Sequence, residues 1–551
     1  MSSNHTEPMN QNEVHDKVHD KAHNKAHDKV QTDATPASSS HTGTVLPPLH
    51  GAPLVFLTLA TALSTFMEVL DTTIANVAVP TISGSMGVSA REGTSIISSY
   101  SLAAAIAVPL TGWLARRFGE VRLMIASVLL FTLFSVLCGL APNYDMLVFF
   151  RLMQGLVSGP MVPLGQSIMM NSYPPEKRGV AMAFWAMTVV IAPVVGPVLG
   201  GYITEEYSWH WIFYINVPIG LFCAYSIATL LKGRESKTTK QPIDIIGLSL
   251  LVIGVGSLQF MLEHANDLGW FESNKVIILT IFAVVGLVLL TIWEWYERNA
   301  VVDLHLLRSR NFAIGVSLQT IGFTIFFGNM VVVPLWLQTV MGYDSFHSGL
   351  AVAPVAVFSV LFSPVIGMNM HKVDLRYLVI AGFGLFAFGS WYSSLLTPDA
   401  TMNQIMIGRF LFGMGIPFFF IPLGALIMEG LHGEELTHAA GLSNFLRTLG
   451  GAIGTAVFVT LWTRRTIFHH ARLTENAIPG TPAYDQLMNQ LGHAGMNSTQ
   501  RYTLLDGLIS QQAATQSTLD ILYLTGVLFL VMIVFVFFAK PVKGATATGG
   551  H

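Results

Sequence analysis

Ionisable residues lie inside long apolar stretches of this chain. Glu68 and Asp71 fall within the first stretch, at about 54–75, and Arg151 falls within the fourth. At a spacing of three residues the two carboxyl groups share one helix face, so we expect them to titrate as a coupled pair. Charges inside a membrane span are costly and usually functional. The two carboxyl groups therefore indicate a site that takes up and releases a proton, and Arg151 can hardly remain unpaired within the membrane. The structural alternatives are a helix-end or interhelical contact for Asp71 and a plain ion pair for Arg151.

The composition places the chain in a membrane. Of its 551 residues, 52% are hydrophobic and 11% are charged, and the mean hydropathy is +0.56, whereas soluble domains carry about 25% charged residues. A soluble enzyme of this length is excluded. A membrane helix needs about 20 apolar residues, and fourteen such stretches predict an all-α polytopic protein. They lie at about 54–75, 95–115, 121–141, 146–169, 180–203, 210–231, 243–262, 276–296, 313–338, 347–369, 376–396, 403–428, 441–463 and 519–539.

Basic residues predict the orientation of these helices. Twenty of the 29 Lys and Arg lie in the two tails and in the loops after even-numbered helices, and basic residues concentrate on the cytoplasmic side of a membrane. We therefore expect both termini in the cytoplasm and the polar segment 464–518 outside. The N-terminal tail spaces four His residues four apart, between His15 and His27. On a helix they could bind a metal ion, but the lack of apolar residues favours a solvated, disordered tail.

The two halves of the sequence repeat the same motifs. Pro109-x-x-Gly112 returns 255 residues later as Pro364-x-x-Gly367, and Arg151-x-x-x-Gly155 returns as Arg409-x-x-x-Gly413. The shared order predicts two six-helix halves with helices seven and eight inserted between them. Parallel repeats of this kind place substrate between the halves near the middle of the membrane. The predicted domains are a tail (1–50), an N-terminal half (51–231), an inserted pair (232–312), a C-terminal half (313–540) and a second tail (541–551).

Five motifs carry a family resemblance. They are LDTTIANVAVP (70–80), GWLARRFG (112–119), RLMQG (151–155), GPVLGG (196–201) and WIFYINVPIG (211–220). Together they resemble the EmrB/QacA group of fourteen-helix drug:proton antiporters in the major facilitator superfamily. The resemblance covers the chain from about residue 50 onward. It implies export of hydrophobic or amphipathic toxic compounds in exchange for protons, by alternating access.

The resemblance also implies roles for individual residues. It implies proton coupling for Arg151, an antiporter motif at Gly196, Pro197, Gly200 and Gly201, and a loop gating motif at Gly112, Arg116, Arg117 and Gly119. The alternatives are close helix packing for the glycines of the fifth helix and fixation of topology for the two arginines. Arg116 stands where the wider superfamily has an acid, so no gating salt bridge is expected there. Glu68 departs from the family pattern, and its proposed proton role rests on its own position.

Two further arginines lie inside predicted helices of the second half. Arg409 repeats Arg151, and Arg447 lies in the thirteenth stretch. Both are candidate functional charges. The duplicated scaffold is the alternative explanation for Arg409, and an anchor at the cytoplasmic end of a helix is the alternative for Arg447.

Partners and location follow from the resemblance as well. It implies the inner membrane of a Gram-negative bacterium, a periplasmic adaptor and an outer-membrane channel of the TolC kind, with segment 464–518 as a docking surface or a simple cap. Within transport, the alternatives are an exporter of one fatty acid or siderophore and an importer. A membrane enzyme using Glu68 and Asp71 is a third class. The sequence contains no Gly-Lys, HExxH or GxSxG run, which excludes P-loop ATP hydrolysis and zinc or serine hydrolase chemistry. No cofactor, metal or nucleic acid is expected.

Overall fold

The structure is a computed structural model that describes residues 49–174, 177–239, 242, 244–265, 268–297, 300–431 and 434–541. The His-rich stretch of the N-terminal tail lies outside the described residues. Within them, thirteen helices are long and apolar enough to cross a membrane, and a bent pair of shorter helices makes a fourteenth span. The predicted all-α fold with fourteen membrane helices is confirmed.

The spans are numbered α1–α14 in chain order. They are α1 Ala52–Met86, α2 Ser95–Ala107 with Thr111–Phe118, α3 Glu120–Gly139, α4 Tyr144–Ser172, α5 Arg178–Glu206, α6 Trp211–Leu230, α7 Ile245–His264, α8 Asn274–Tyr296, α9 Arg310–Thr339, α10 Pro354–Asn369, α11 Leu375–Ser394, α12 Met402–Ile427, α13 Glu434–Asn476 and α14 Ser498–Val536. The first half is α1–α6, the second half is α9–α14, and α7 and α8 lie between them in sequence. The end of the bundle that holds both ends of the described chain is called the terminal end.

Helices pack on one another both within each half and between the halves. In the first half α1 packs on α5 and α6, and α4 packs on α2 and α3; in the second half α9 packs on α13, and α11 packs on α14. Between the halves, α5 packs on α10 and α12, and α13 packs on α4 and on the second piece of α2. The inserted helices α7 and α8 pack on each other. Cys138 and Cys223 are buried free thiols.

The bend of α2 lies where the sequence places a proline. The two pieces meet at 63° around Pro109, whose ring removes a backbone hydrogen bond from the helix. The second piece then runs against α13: a Cβ on Gly112 would stand 2.5 Å from Nδ1 of His438. The bend therefore directs the basic turn of the loop motif toward the second half.

Helices α13 and α14 extend far beyond a bilayer. They contain 43 and 39 residues, which at the usual helical rise is about 64 Å and about 58 Å, against a hydrocarbon thickness of about 30 Å. Segment 464–518 was expected to be a polar loop. It is instead a helical hairpin, formed by the extensions of α13 and α14 and a short helix, Pro482–His493. We call residues 464–518 the hairpin.

Ion pairs hold the two arms of the hairpin together. Asp520 accepts from Arg465 at 2.7 Å and from His469 at 2.8 Å, and His470 lies 3.1 Å from Asp506. Apolar side chains on the hairpin remain exposed to solvent; they are Ile467, Phe468, Ile478, Tyr502, Leu504 and Leu508. The hairpin is thus a helical projection with exposed apolar side chains rather than an irregular loop.

Candidate functional site

Asp71 and Arg151 form a fully buried ion pair in the first half. Arg151 Nη1 lies 2.5 Å from Asp71 Oδ2, and neither side chain is exposed. The pair joins α1 to α4 across 80 residues of sequence. Removing one member of a buried ion pair leaves an uncompensated charge and costs about 3–5 kcal/mol. A proton arriving at Asp71 would therefore alter the strongest polar contact between these two helices.

Neutral polar groups complete the shell of this pair. Asn216 Nδ2 donates to Asp71 Oδ1 at 2.9 Å and to Ser135 Oγ at 3.0 Å. Gln154 Oε1 accepts from Arg151 Nη1 at 2.8 Å, and the guanidinium lies 4.3 Å from the ring centre of Tyr100. Sequence reasoning quoted Asn216 and Gln154 within motifs but gave them no role. The signal that could have identified them was a polar side chain within an otherwise apolar helix.

Glu68 faces a different neighbour from Asp71. The charges that act on its carboxyl group are those of Arg447 in α13 and Asp71 in its own helix. Among the described residues, Glu68 makes no ion pair of the contact type seen for Asp71. The two carboxyl groups predicted to act together therefore lie in different settings: Asp71 is paired with Arg151, whereas the opposite charge that acts on Glu68 is that of Arg447.

A cavity lies between the halves beside Arg447. Its free volume is about 10 Å³, and its wall includes Trp185, Phe323, Phe419, Gln166 and Gln319. The Arg447 guanidinium lies 5.6 Å from the ring of Trp185 and 5.2 Å from that of Phe323. Aromatic side chains with a few amides are the usual lining of a pocket for apolar ligands. In this conformation the cavity has room for about one water molecule, so a substrate would enter only after the two halves move apart.

Arg409 repeats the position of Arg151 in the second half. It is 1% exposed and donates to Asn329 Oδ1 at 2.8 Å and to Ser393 Oγ at 3.3 Å. Its guanidinium is desolvated, and no carboxylate among the described residues forms an ion pair with it. The duplicated scaffold is present, but the acid of the first half is not.

The antiporter motif packs α5 tightly against α1. A Cβ on Gly196 would stand 2.1 Å from Thr73 Oγ1, and one on Gly200 would stand 3.0 Å from the carbonyl oxygen of Ile74. Gly201 has no atom within 4 Å of such a Cβ. Pro197 is instead near the short helix Ser345–Val352, which precedes α10: a Cβ on Gly349 would lie 3.9 Å from its Cβ. Two glycines of the motif thus face the first half, and the proline between them faces the second.

These distances predict that two neighbouring glycines of one motif respond differently to substitution. Gly200→Ala would press a methyl group on backbone, and overpacking of this kind costs about 1–3 kcal/mol, whereas Gly201→Ala has room and gains helix propensity. We expect Gly200→Ala to lower the melting temperature of the purified protein and Gly201→Ala to leave it unchanged or raise it. Equal effects of both substitutions would contradict the close packing of α5 on α1.

An acid from a distant segment packs beside the motif at 112–119. Glu235, in the segment after α6, accepts from the backbone N–H groups of Val121 and Arg122 at 2.9 and 3.0 Å, at the start of α3. Gly119 has a φ of +93° and lies where a Cβ would clash with this carboxylate at 2.4 Å, so only glycine fits. Arg116 Nη2 donates to the carbonyl oxygen of Ala300 at 3.1 Å.

Contacts between the halves concentrate at the terminal end. Ser167 and Thr437 hydroxyls lie 2.7 Å apart, and Thr437 also donates to Glu120. A Cβ on Gly179 would stand 2.4 Å from the carbonyl oxygen of Gly367. Asn444 Nδ2 donates to Gln166 Oε1 at 2.6 Å, next to the cavity. These contacts hold α3, α4 and α5 against α10 and α13 at this end.

Comparison with known proteins gives the family. Residues 61–455 match the family model of the Major Facilitator Superfamily. The chain is 45% identical over 504 residues to the multidrug export protein EmrB of Escherichia coli K12, covering 91% of this chain and 98% of that one. The chain is an EmrB-type member of the major facilitator superfamily.

This EmrB-type chain is also similar to proteins with other names. It is 43% identical over 505 residues to the fatty acid resistance protein FarB of Neisseria gonorrhoeae, covering 92% of this chain and 99% of that one. Among solved structures, the human organic anion transporter MFSD10 matches with a TM-score of 0.57 at 12% identity, over 88% of this chain and all of that one. The last likeness supports the superfamily fold alone.

Proposed function

We propose that this protein is a proton-coupled antiporter that exports hydrophobic or amphipathic toxic compounds by alternating access. The observation that carries the proposal is the buried Asp71–Arg151 pair, which lies within one half of an EmrB-type fold. A proton exchanger needs a titratable group inside the membrane whose contacts differ between protonation states. Asp71 meets that need, because protonation removes its charge from Arg151.

Glu68 is proposed to couple the proton to the substrate. Its carboxyl group is acted on by the charge of Arg447, which lies over two aromatic residues of the cavity wall. A charged substrate entering there changes the field at Glu68. A proton on either carboxyl group and a molecule in the cavity therefore influence each other through Arg447.

The proposed setting is the inner membrane of a Gram-negative bacterium with both termini in the cytoplasm, which makes the terminal end cytoplasmic. In this setting the hairpin projects into the periplasm. Its exposed apolar side chains support docking of a periplasmic adaptor of the EmrA kind, which in turn joins an outer-membrane channel of the TolC kind. No enzymatic activity is proposed.

A narrower function is the second candidate. The FarB relative, named for fatty acid resistance, covers nearly the whole chain at 43% identity. A dedicated exporter of a fatty acid or another single metabolite would use the same proton site, and the two functions differ only in the range of compounds moved.

Purified protein in liposomes with an imposed pH gradient tests the proposal. We expect a fluorescent hydrophobic cation and an uncoupler-like weak acid to move only when the gradient is present, with internal pH shifting as protons move the opposite way. Movement that ignores the gradient would overturn proton coupling. Movement of a long-chain fatty acid alone, with no response to the other two probes, would favour the narrower exporter.

A further inference from the structure

The polar site of the first half has a second copy in the other half. Three pairs of residues lie 258 positions apart in sequence: Asp71 and Asn329, Ser135 and Ser393, and Arg151 and Arg409. Each pair occupies corresponding helices of the two halves, namely α1 and α9, α3 and α11, and α4 and α12. The repeat therefore extends to the individual side chains of the buried site.

The contacts of the two copies repeat as well. Arg151 Nη1 donates to Asp71 at 2.5 Å, and Arg409 Nη1 donates to Asn329 at 2.8 Å. Four residues after each arginine, a glycine permits the same close crossing. A Cβ on Gly155 would stand 2.3 Å from the carbonyl oxygen of Tyr100, and one on Gly413 would stand 2.2 Å from that of Val355.

The second copy lacks the groups that balance the first. Asn329 stands in the place of Asp71, so the amide accepts from Arg409 without neutralising it. Val355 stands in the place of Tyr100, whose ring covers Arg151 at 4.3 Å, and the ring nearest to Arg409 is that of Phe412, at 5.4 Å. Phe412 takes the position of Gln154, which is the second acceptor of Arg151. The second copy therefore retains the arginine and loses its anion.

Two groups of the second copy have donors without acceptors. Asn329 is fully buried, and its Nδ2 has no hydrogen-bond partner among the described residues. Arg409 makes two side-chain hydrogen bonds, although a guanidinium has five N–H donors. A buried cation without a counter-charge is costly, and a buried amide without an acceptor adds to that cost. Both costs fall when an anion enters.

We propose that Arg409 and Asn329 bind a small monovalent anion, either chloride or the carboxylate group of a small organic acid. The anion accepts from the Asn329 amide and from the remaining N–H groups of Arg409, and it takes the part that the Asp71 carboxylate plays for Arg151. The anion binds to the folded chain, at a place separate from the cavity. It does not depend on the proton coupling proposed above.

Thermal unfolding of the full purified chain in detergent tests the site, with chloride, acetate or the bulky gluconate ion as the main anion at equal ionic strength. A ligand that binds only the folded state raises the melting temperature in a saturable way, so we expect a rise of about 2 °C or more over gluconate. A rise with chloride alone identifies an inorganic anion, and a rise with acetate as well identifies a carboxylate ligand.

Asn329→Asp is the decisive variant. Because Asp71 with Arg151 already forms this pair in the same fold, the variant should fold, melt higher than wild type in gluconate and no longer respond to chloride or acetate. Equal melting temperatures of the wild type in all three anions, or an unchanged anion response in Asn329→Asp, would overturn the proposal. Neither readout involves transport, so failure here is distinguishable from failure of the proposed export function.

Discussion

Asp71→Asn is expected to abolish transport driven by a pH gradient while leaving the protein folded. The amide can still accept from Arg151, as Asn329 does from Arg409 at 2.8 Å, so the helices α1 and α4 remain joined. It cannot take up or release a proton. Loss of a proton-transfer group typically costs about 10²–10⁴-fold, and we expect the gradient-driven rate in liposomes to fall by at least about 100-fold.

The matched control for this variant is Asp399→Asn, which removes an exposed acid in the segment between α11 and α12. It should transport like the wild type. Glu68→Gln completes the series, because it removes the carboxyl group directed toward Arg447. Gradient-driven transport that survives in Asp71→Asn and Glu68→Gln combined would mean that neither carboxyl group couples protons.

Removal of the outer part of the hairpin should separate transport from resistance. Replacing residues 472–508 with a short Gly/Ser linker keeps the Arg465–Asp520 and His469–Asp520 contacts but removes most of the exposed apolar surface. If the hairpin docks an adaptor, cells should lose protection, with a drop of about tenfold or more in tolerated drug concentration, since truncated interface hot spots cost more than about 1 kcal/mol each. Liposome transport should persist.

Two surface variants control for misfolding of the deletion variant. Ile467→Gln and Tyr502→Gln change side chains that are 65% and 59% exposed, so the fold has little reason to change. Together they should reduce resistance in cells without lowering the liposome rate. If the deletion and both surface variants leave cellular resistance intact, the hairpin is a cap and the docking site lies elsewhere.

The sequence was sufficient for the spans because hydropathy reports contact with lipid. All fourteen predicted stretches coincide with helices of the structure, and the proline in the second stretch marks the bend of α2. Hydropathy could not reveal the hairpin, whose helices are polar and lie outside the apolar layer. Local signals were nevertheless present: Asn497 and Gln500 form a capping box at the start of α14, a known mark of a helix start.

The candidate site was predicted in part. Residue types in apolar helices pointed to Asp71 and Arg151, but the fact that they pair follows from helix packing over 80 residues, which no local pattern encodes. The missing acid of the loop motif is a similar case. Glu235 reaches the start of α3 from beyond α6, and its sequence neighbourhood is merely charged and polar.

The glycines of α5 hold this helix close against α1, between Asp71 and the second half. Thr73 and Ile74, on which Gly196 and Gly200 pack, lie two and three residues after Asp71 in α1. The same helix touches α10 in the second half. Because packed interiors transmit strain, we expect a movement of α1 at Asp71 to displace α5 and, through it, α10. The carboxyl group of Asp71 is therefore separated from the second half by the thickness of one helix, about 10 Å.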